Sequence, residues 1–264
     1  MDRMRRGLLG GAVLGAFAVA GRAAAQNNPQ PNPDAEKVQQ ALQDYNDPAA
    51  LNIVPTGQDW ADLHRYRAAN AALKGGVAPR AVFMGDSITD NWAGFETAWY
   101  GRNNFLGRGI SGQVTAQMVV RFMADVVAHR PGAVHILAGT NDLAENTDPY
   151  DPGTTQNNVL AMVGLARING IKVVLGSVPP ATSFSWRPEA GNRVAMIRDL
   201  NAWLKDLCVQ AGHVYADYWP VLANGDGGLK SELGINGDSV HPSQAGYDLM
   251  QPIAEAAVAA ALAA

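Results

Sequence analysis

The most informative segment of this 264-residue chain is Ala81-Val82-Phe83-Met84-Gly85-Asp86-Ser87-Ile88-Thr89-Asp90. An apolar run is followed at once by a glycine, a carboxylate and a hydroxyl, which indicates a buried strand that delivers Ser87 to a loop. In an open α/β sheet, such loops line the ligand crevice. Gly-Asp-Ser is also ordinary turn composition, so this segment alone leaves Ser87 either a turn residue or a nucleophile.

Beyond this segment, apolar runs alternate with helical patterns, which is typical of βαβ units and a parallel sheet. We predict an α/β fold, a three-layer α/β/α sandwich with a five-stranded parallel sheet in flavodoxin-like order. The predicted strands cover 81–84, 104–106, 133–137, 172–175 and 213–216. The predicted helices cover 60–73, 114–128, 155–168, 189–211 and 243–262.

The first 25 residues have the composition of an export signal. Arg3, Arg5 and Arg6 precede a mostly apolar segment over 7–21, and Ala23-Ala24-Ala25 is a cleavage signal of the A-x-A kind. The apolar segment is shorter than the roughly 20 residues of a membrane-spanning helix, so we expect no stable membrane anchor. The arginine pair also resembles a twin-arginine signal, and the export route stays open.

We therefore expect a periplasmic or secreted protein, cleaved near Ala25. A loose polar tail is predicted over 26–52 and a single domain over 53–264. The signal carries four arginines and one aspartate, a charge of +3, so its removal changes the formal net charge from −4 to −7. Such an acidic chain argues against a nucleic-acid partner, because phosphate binding needs clustered Lys and Arg. The single cysteine, Cys208, lies on an apolar helical stripe and is predicted to be a core residue.

Polar residues follow several predicted strands. Residues 108–113 follow the second strand, 138–142 follow the third, and 238–242 lie beyond the fifth. Because the carboxyl ends of parallel strands share one edge of the sheet, we expect these segments to converge on Ser87. Together they offer a hydroxyl, an unhindered backbone amide, a carboxamide, and a carboxylate three residues before an imidazole. These are the groups that a serine hydrolase needs.

The four segments, in this order and at these distances, resemble the sequence blocks of the SGNH hydrolases, also called GDSL esterases and lipases. The resemblance runs from about residue 79 to the C-terminus and is greatest for platelet-activating-factor acetylhydrolase-like and carbohydrate-esterase members. It implies that Ser87 is the nucleophile and that Asp238 and His241 complete a catalytic triad. It also implies that the Ser87 amide, Gly112 and Asn141 form the oxyanion hole.

Elementary chemistry favours the same residues. A serine hydroxyl needs a base that works near neutral pH, and a carboxylate beside the second imidazole nitrogen fixes the tautomer of that base. Asp238 and His241 share one short loop, although the same spacing also suits an Asp-capped turn. The remaining histidines are predicted to be solvated helix residues or structural groups in strands: His64, His129, His135 and His213.

Two oxyanion candidates have ordinary alternatives. Gly112 also fits a turn, and Asn141 also fits a loop or a helix cap. Asp86 and Asp142 are predicted to hold loops in shape, and Asp90 to lie in a turn or at a helix start.

Residues 107–112 form a literal G-x-G-x-x-G between a short strand and a helix, as in dinucleotide-binding proteins. However, the motif follows the second predicted strand rather than the first, and no strand ends in an acidic residue about 20 positions on. We therefore expect no nucleotide. The chain also lacks a P-loop, an H-E-x-x-H motif and a cysteine cluster, so we expect no cofactor and no metal.

Aromatic residues near these segments suggest the substrate. Trp92, Phe184 and Trp186 are predicted to bind it, since amphipathic rings suit a sugar better than a long acyl chain. Trp92 has an alternative place in the core, seven residues before Trp99 on one helical face. We expect a serine esterase that hydrolyses O-acetyl or other short-chain esters on a small molecule or glycan. Lysophospholipase, thioesterase or aryl-esterase activity and a non-catalytic glycan-binding module are the alternatives, and the oligomeric state stays open.

Overall fold

The computed structural model describes residues 59–264. The predicted export signal over 1–25 and the tail over 26–52 lie outside these residues and stay predictions. Among the helices from residue 59 onward, none is long and apolar enough to cross a bilayer.

The described chain contains one five-stranded parallel sheet, as the sequence predicts. Its short strands are β1 Ala81–Gly85, β2 Phe105–Gly109, β3 Ala133–Leu137, β4 Lys172–Gly176 and β5 Val214–Ala216. The strand order is β2-β1-β3-β4-β5, and β1, β3 and β4 are the most buried strands.

Nine α-helices cover the sheet within residues 59–264. They are α1 Arg67–Leu73, α2 Ser87–Phe95, α3 Thr97–Asn103, α4 Thr115–Asp125, α5 Thr140–Leu143, α6 Pro152–Ile168, α7 Val194–Ala211, α8 Trp219–Leu222 and α9 Gln244–Ala263. Helices α4, α6 and α7 pack on one face of the sheet, and α2, α3 and α9 pack on the other. The three-layer α/β/α sandwich is thereby confirmed.

Several predicted boundaries are wrong for local reasons. The first helix begins at Arg67 rather than residue 60, because Asp62 has a left-handed φ of 55° that a continuing helix does not allow. Helix α7 begins at Val194 rather than residue 189, after Gly191 with φ 68°. Strand β2 extends to Gly109, further than its glycine-rich sequence suggests.

Ser87 also lies in an element that the sequence did not predict. It is the first residue of α2 rather than a loop residue, because Asp86 caps the helix by accepting a hydrogen bond from the Ile88 amide (2.9 Å). The strand therefore turns directly into a helix at the hydroxyl.

The core on the α2 side is an aromatic cluster built around Phe83 of β1. Its ring lies 5.0–5.7 Å from four other rings, and Trp92 stacks on Trp99 at 5.2 Å. These five rings are buried in the hydrophobic core: Phe83, Trp92, Trp99, Tyr100 and Phe105. Cys208 is 2% exposed in α7, which confirms it as a core residue.

Candidate active site

A continuous hydrogen-bonded chain joins Ser87, His241 and Asp238. Ser87 Oγ lies 2.9 Å from His241 Nε2, and His241 Nδ1 lies 2.9 Å from Asp238 Oδ2. The histidine and aspartate side chains are 17% and 28% exposed, so these hydrogen-bonded groups are accessible from the surface and are not sealed in the core. Residues that are 154 positions apart in sequence thus contact each other as a nucleophile, base and orienting carboxylate would.

Hydrogen bonds within the loop 238–241 fix the position of the Asp238 carboxylate. Asp238 Oδ1 accepts hydrogen bonds from the backbone amides of Val240 (2.6 Å) and His241 (3.1 Å), while Oδ2 faces the imidazole. Partial burial opposes ionisation of this carboxyl, but the hydrogen bonds from His241 and Val240 outweigh it and hold the pKa of Asp238 below its usual value. The carboxylate is therefore ionised at neutral pH and can stabilise a charged imidazole.

Asn141 and Gly112 lie on neighbouring segments that follow β3 and β2. Asn141 is 1% exposed, and its Nδ2 donates one hydrogen bond to the Gln113 carbonyl (3.0 Å). The second hydrogen of this NH₂ group has no acceptor among residues 59–264. Gly112 has φ +80°, and a Cβ built there would have no neighbour within 4 Å, so the space at its backbone is open.

Asn146 is a residue of this site that the sequence analysis missed. Its Nδ2 donates to the Gly112 carbonyl (3.0 Å) and to Asn141 Oδ1 (2.9 Å), and its Oδ1 accepts a hydrogen bond from Trp186 Nε1 (2.8 Å). Only its position five residues after Asn141 could have pointed to it.

Of the three aromatic residues predicted to bind substrate, the structure leaves only Trp186 accessible. Trp186 is 37% exposed, and its ring centroid lies 5.6 Å from that of His241. Trp92 is fully buried in the aromatic cluster, so its predicted role is wrong and its alternative place in the core is correct. Phe184 is 1% exposed and supports the Trp186 ring from the edge at 5.5 Å, so its predicted direct contact is also wrong.

Two aspartates, the buried Asp86 and the half-buried Asp142, shape the loops around Ser87. Asp142 accepts hydrogen bonds from both the amide and the hydroxyl of Thr115, which ties the segment after β3 to the start of α4. Burial raises the pKa of Asp142, although the Thr115 bonds act against this. Complete burial raises the pKa of Asp86 to about 7, against the opposing hydrogen bond from Ile88.

Arg121 binds the backbone at the same edge of the sheet. This fully buried side chain donates to the carbonyl oxygens of Gly85 and Arg108, both at 2.8 Å, and to Gln113 Oε1 at 2.6 Å. Its charge is balanced by Asp125, 3.1 Å away. One guanidinium thus fixes the ends of β1 and β2 and the segment that carries Gly112.

The first two glycines of the G-x-G-x-x-G motif have packing roles. A Cβ at Gly107 would stand 2.5 Å from the Cβ of Ala93, and one at Gly109 would stand 2.6 Å from the carbonyl carbon of Thr89. Both glycines lie within β2 and allow α2 to pack directly on the strand. The helix that carries Ser87 therefore explains Gly107 and Gly109, whereas Gly112 is favoured by its positive φ.

The remaining histidines lie elsewhere. His135 is buried in β3 with Nε2 2.7 Å from the Tyr218 hydroxyl, and burial lowers its pKa to about 3. His129 Nε2 lies 2.9 Å from Asn70 Oδ1, and burial lowers its pKa to about 4. His64 lies in the turns before α1, with its amide and Nδ1 bonded to Asp59.

Similarity to known proteins agrees with this geometry. The chain matches the GDSL-like Lipase/Acylhydrolase family over residues 83–249. It is 38% identical to a structure from Bacteroides fragilis assigned as an acylhydrolase, covering 78% of this chain and 99% of that one, with a TM-score of 0.74. A GDSL-like lipase from Bacteroides thetaiotaomicron is 37% identical over 75% and 98% of the two chains, with a TM-score of 0.72.

A more distant structure shares the fold. A variant of Axe2, an acetylxylan esterase from Geobacillus stearothermophilus, is 19% identical over 70% of this chain and 96% of that one, with a TM-score of 0.52. No protein with a curated description matches the chain. The family match covers more than half of the chain, and its two Bacteroides relatives are covered almost completely. The protein therefore belongs to the GDSL-like lipase/acylhydrolase family, the ester-hydrolysing SGNH hydrolases.

Proposed function

We propose that this protein is an exported serine esterase that removes acetyl or other short acyl groups from hydroxyls of carbohydrates. The observation that carries the proposal is the unbroken chain from Ser87 Oγ through His241 to Asp238, with the accessible Trp186 ring beside the imidazole. A module that only binds glycans has no use for this arrangement of three side chains.

In the proposed mechanism, His241 Nε2 takes the proton of Ser87 Oγ as that oxygen bonds to the acyl carbon. The carbonyl oxygen becomes an oxyanion, which the amides of Ser87 and Gly112 and the Asn141 carboxamide stabilise. The C–O bond to the alcohol then breaks, and His241 returns the proton to the departing alkoxide. Water repeats the sequence on the acyl-serine, releasing the acid and restoring the serine.

The residues around the site favour a substrate whose alcohol part is rich in hydroxyls. Trp186 offers an aromatic face, and hydroxyls of Ser183 and Ser239 lie on two neighbouring exposed segments, joined by a bond from Ser239 Oγ to the Ser183 carbonyl (2.9 Å). An aromatic face with nearby polar groups is a common way to hold a sugar ring. The fold-level similarity to Axe2 is consistent with this substrate class.

A panel of substrates tests the function. We expect hydrolysis of 4-nitrophenyl acetate and of acetylated xylooligosaccharides, with kcat/KM falling at least about tenfold from the acetate to the decanoate ester. Preference for decanoate or for lysophosphatidylcholine would favour a lipase or lysophospholipase instead. Hydrolysis of none of these by folded protein would favour a glycan-binding module.

Export rests on residues 1–25 alone and needs its own test. Expression of the full chain in a Gram-negative host should yield protein in the periplasm or medium with a new N-terminus near residue 26, measured by mass spectrometry of the intact chain. Retention of the arginine-rich start on cytoplasmic protein would contradict the proposal.

A further inference from the structure

Asn146 occupies the junction between the two oxyanion candidates and the aromatic rim. All of its side-chain polar atoms are engaged: Nδ2 with the Gly112 carbonyl and Asn141 Oδ1, and Oδ1 with Trp186 Nε1. The side chain is only partly buried, so it is accessible from the surface beside the site.

The chemistry of the partners permits only one orientation of this carboxamide. An indole N–H can only donate, and a backbone carbonyl can only accept. Trp186 and Gly112 therefore fix which end of Asn146 is oxygen and which is nitrogen. A flipped Asn146 would set its NH₂ against the indole N–H and its oxygen against two carbonyl oxygens.

The fixed Asn146 in turn fixes Asn141. Because Asn146 Nδ2 points at Asn141, the latter must present its oxygen there and its NH₂ group to the opposite side. One hydrogen of that NH₂ goes to the Gln113 carbonyl (3.0 Å), and the other is left for a ligand. Three directed hydrogen bonds thus join the two asparagines to the carbonyls of residues 112 and 113, and the backbone between these two residues closes the ring.

We propose that Asn146 is a positioning residue that sets the donor direction of the Asn141 carboxamide and the backbone orientation at Gly112, and links both to Trp186. This inference rests on the proposed esterase function. Asn146 touches no reacting atom itself. It holds the oxyanion donors in place before the substrate binds, and donors that are already oriented stabilise the transition state without reorganising during the reaction.

The backbone at residue 146 does not depend on its side chain. The Asn146 amide donates to the Asn141 carbonyl (3.0 Å), and Glu145, with a φ of 59°, is held by a 2.7 Å ion pair with Arg193. Replacement of the Asn146 side chain should therefore leave the loop folded. A loss of activity would then mean that the Asn141 carboxamide and the Gly112 backbone are no longer held in position.

The first test compares Asn146→Ala and Asn146→Asp using 4-nitrophenyl acetate. We expect Asn146→Ala to lower kcat about 10- to 100-fold with KM within about threefold, because small misplacement of catalytic groups costs up to about 10²-fold. Asn146→Asp keeps the acceptor for Trp186 but loses both donors, so its kcat should fall at least as far.

A control variant separates positioning from other effects. Asn169→Ala removes a comparable side-chain bond to a carbonyl (2.8 Å, to Leu165) at the far end of α6, and should leave kcat and KM unchanged.

A double-mutant cycle gives the decisive readout, since a merely structural role would not produce it. In the Asn141→Ala background, Asn146→Ala should lower kcat by a smaller factor than in the parent, because one of the two groups that it positions is already gone. Multiplicative loss in the double variant, or normal kcat in Asn146→Ala, would overturn the role of Asn146. Retention of wild-type kcat in Asn141→Ala would overturn it as well, because the carboxamide that Asn146 positions would then not act on the reaction. Retention of wild-type kcat in Ser87→Ala would instead overturn the proposed serine mechanism itself.

Discussion

At the scale of single residues, the Ser87 hydroxyl is the atom on which the proposed chemistry depends. We expect Ser87→Ala to lower kcat at least about 10³-fold, the size typical of losing a nucleophile that works as a unit with its base. Its melting temperature should change little, because one hydroxyl bonded to His241 adds little to the core. Esterase assays and thermal unfolding on the same preparation check both statements. More than a tenth of the activity in the variant, free of contaminating esterases, would remove Ser87 from the mechanism.

The protonation of Asp86, next to the nucleophile, should make the stability of the protein depend on pH. Its pKa rises from an ordinary value of 3.8 to about 7 in the folded protein, chiefly through burial, and Asp86 Oδ2 is buried with no partner among residues 59–264. Between these two pKa values the folded state binds more protons than the unfolded state. Stability from this group is therefore full below about pH 4, falls as pH rises to about 7, and stays level above.

Asp86→Asn should remove this slope. The amide oxygen of asparagine can still accept the bond from the Ile88 amide, and the side chain cannot ionise. Urea unfolding of both proteins at pH 5 and pH 8 measures the difference, and we expect the variant to gain stability relative to the parent only at pH 8. An equal difference at the two pH values would show that Asp86 is ionised in the folded protein at both.

At the scale of elements, the contact between α2 and β2 depends on glycine. A Cβ at Gly109 would overlap the backbone of Asp90 and Thr89, neither of which can move without moving α2. We expect Gly109→Ala to cost about 1 to 3 kcal/mol of stability. It should also lower kcat, because α2 carries Ser87.

Gly164 in the middle of α6 provides the matched comparison. A Cβ there would have no neighbour within 4 Å, so Gly164→Ala should stabilise the protein by about 0.5 to 1 kcal/mol and leave kcat unchanged. Urea unfolding and esterase assays on both variants test the pair. Equal effects of the two substitutions would mean that α2 does not pack on β2 as closely as the structure shows.

At the scale of the whole molecule, the sheet separates two cores. Val159 of α6 and Val258 of α9 are 1% and 0% exposed and lie on opposite faces of the sheet. Each valine-to-alanine change should cost about 2 kcal/mol, from lost burial and a small cavity.

The double variant Val159→Ala/Val258→Ala tests the layered arrangement. Because the two sites share no neighbours across the sheet, the losses should add within about 0.5 kcal/mol in urea unfolding. Coupling above about 1 kcal/mol would place the two helices in contact. Esterase activity of the folded double variant should match that of the parent, since neither valine lies in the crevice.

The sheet and the chemical groups at its edge could be predicted from the amino-acid sequence. Local apolar runs identify β1 and β3 closely, because a buried parallel strand must be apolar along its whole length. The segments with Ser87, Gly112, Asn141 and His241 follow from residue type and order, because a hydroxyl, an open amide and an imidazole are chemically distinctive. Helix starts at α2 and α7 were less predictable, since capping by Asp86 and the break at Gly191 depend on backbone geometry.

Which polar and aromatic side chains are accessible at the site depends on tertiary packing. Trp92 and Trp186 have the same ring, yet packing against Phe83 and Trp99 buries the first, while the second stays accessible beside the imidazole. Asn146 and Trp186 are 40 positions apart and become partners only when the sheet brings their loops together. A sequence pattern indicates which residues prefer burial. The orientation of a side chain and its hydrogen-bond partners depend on contacts between distant segments, which no local pattern contains.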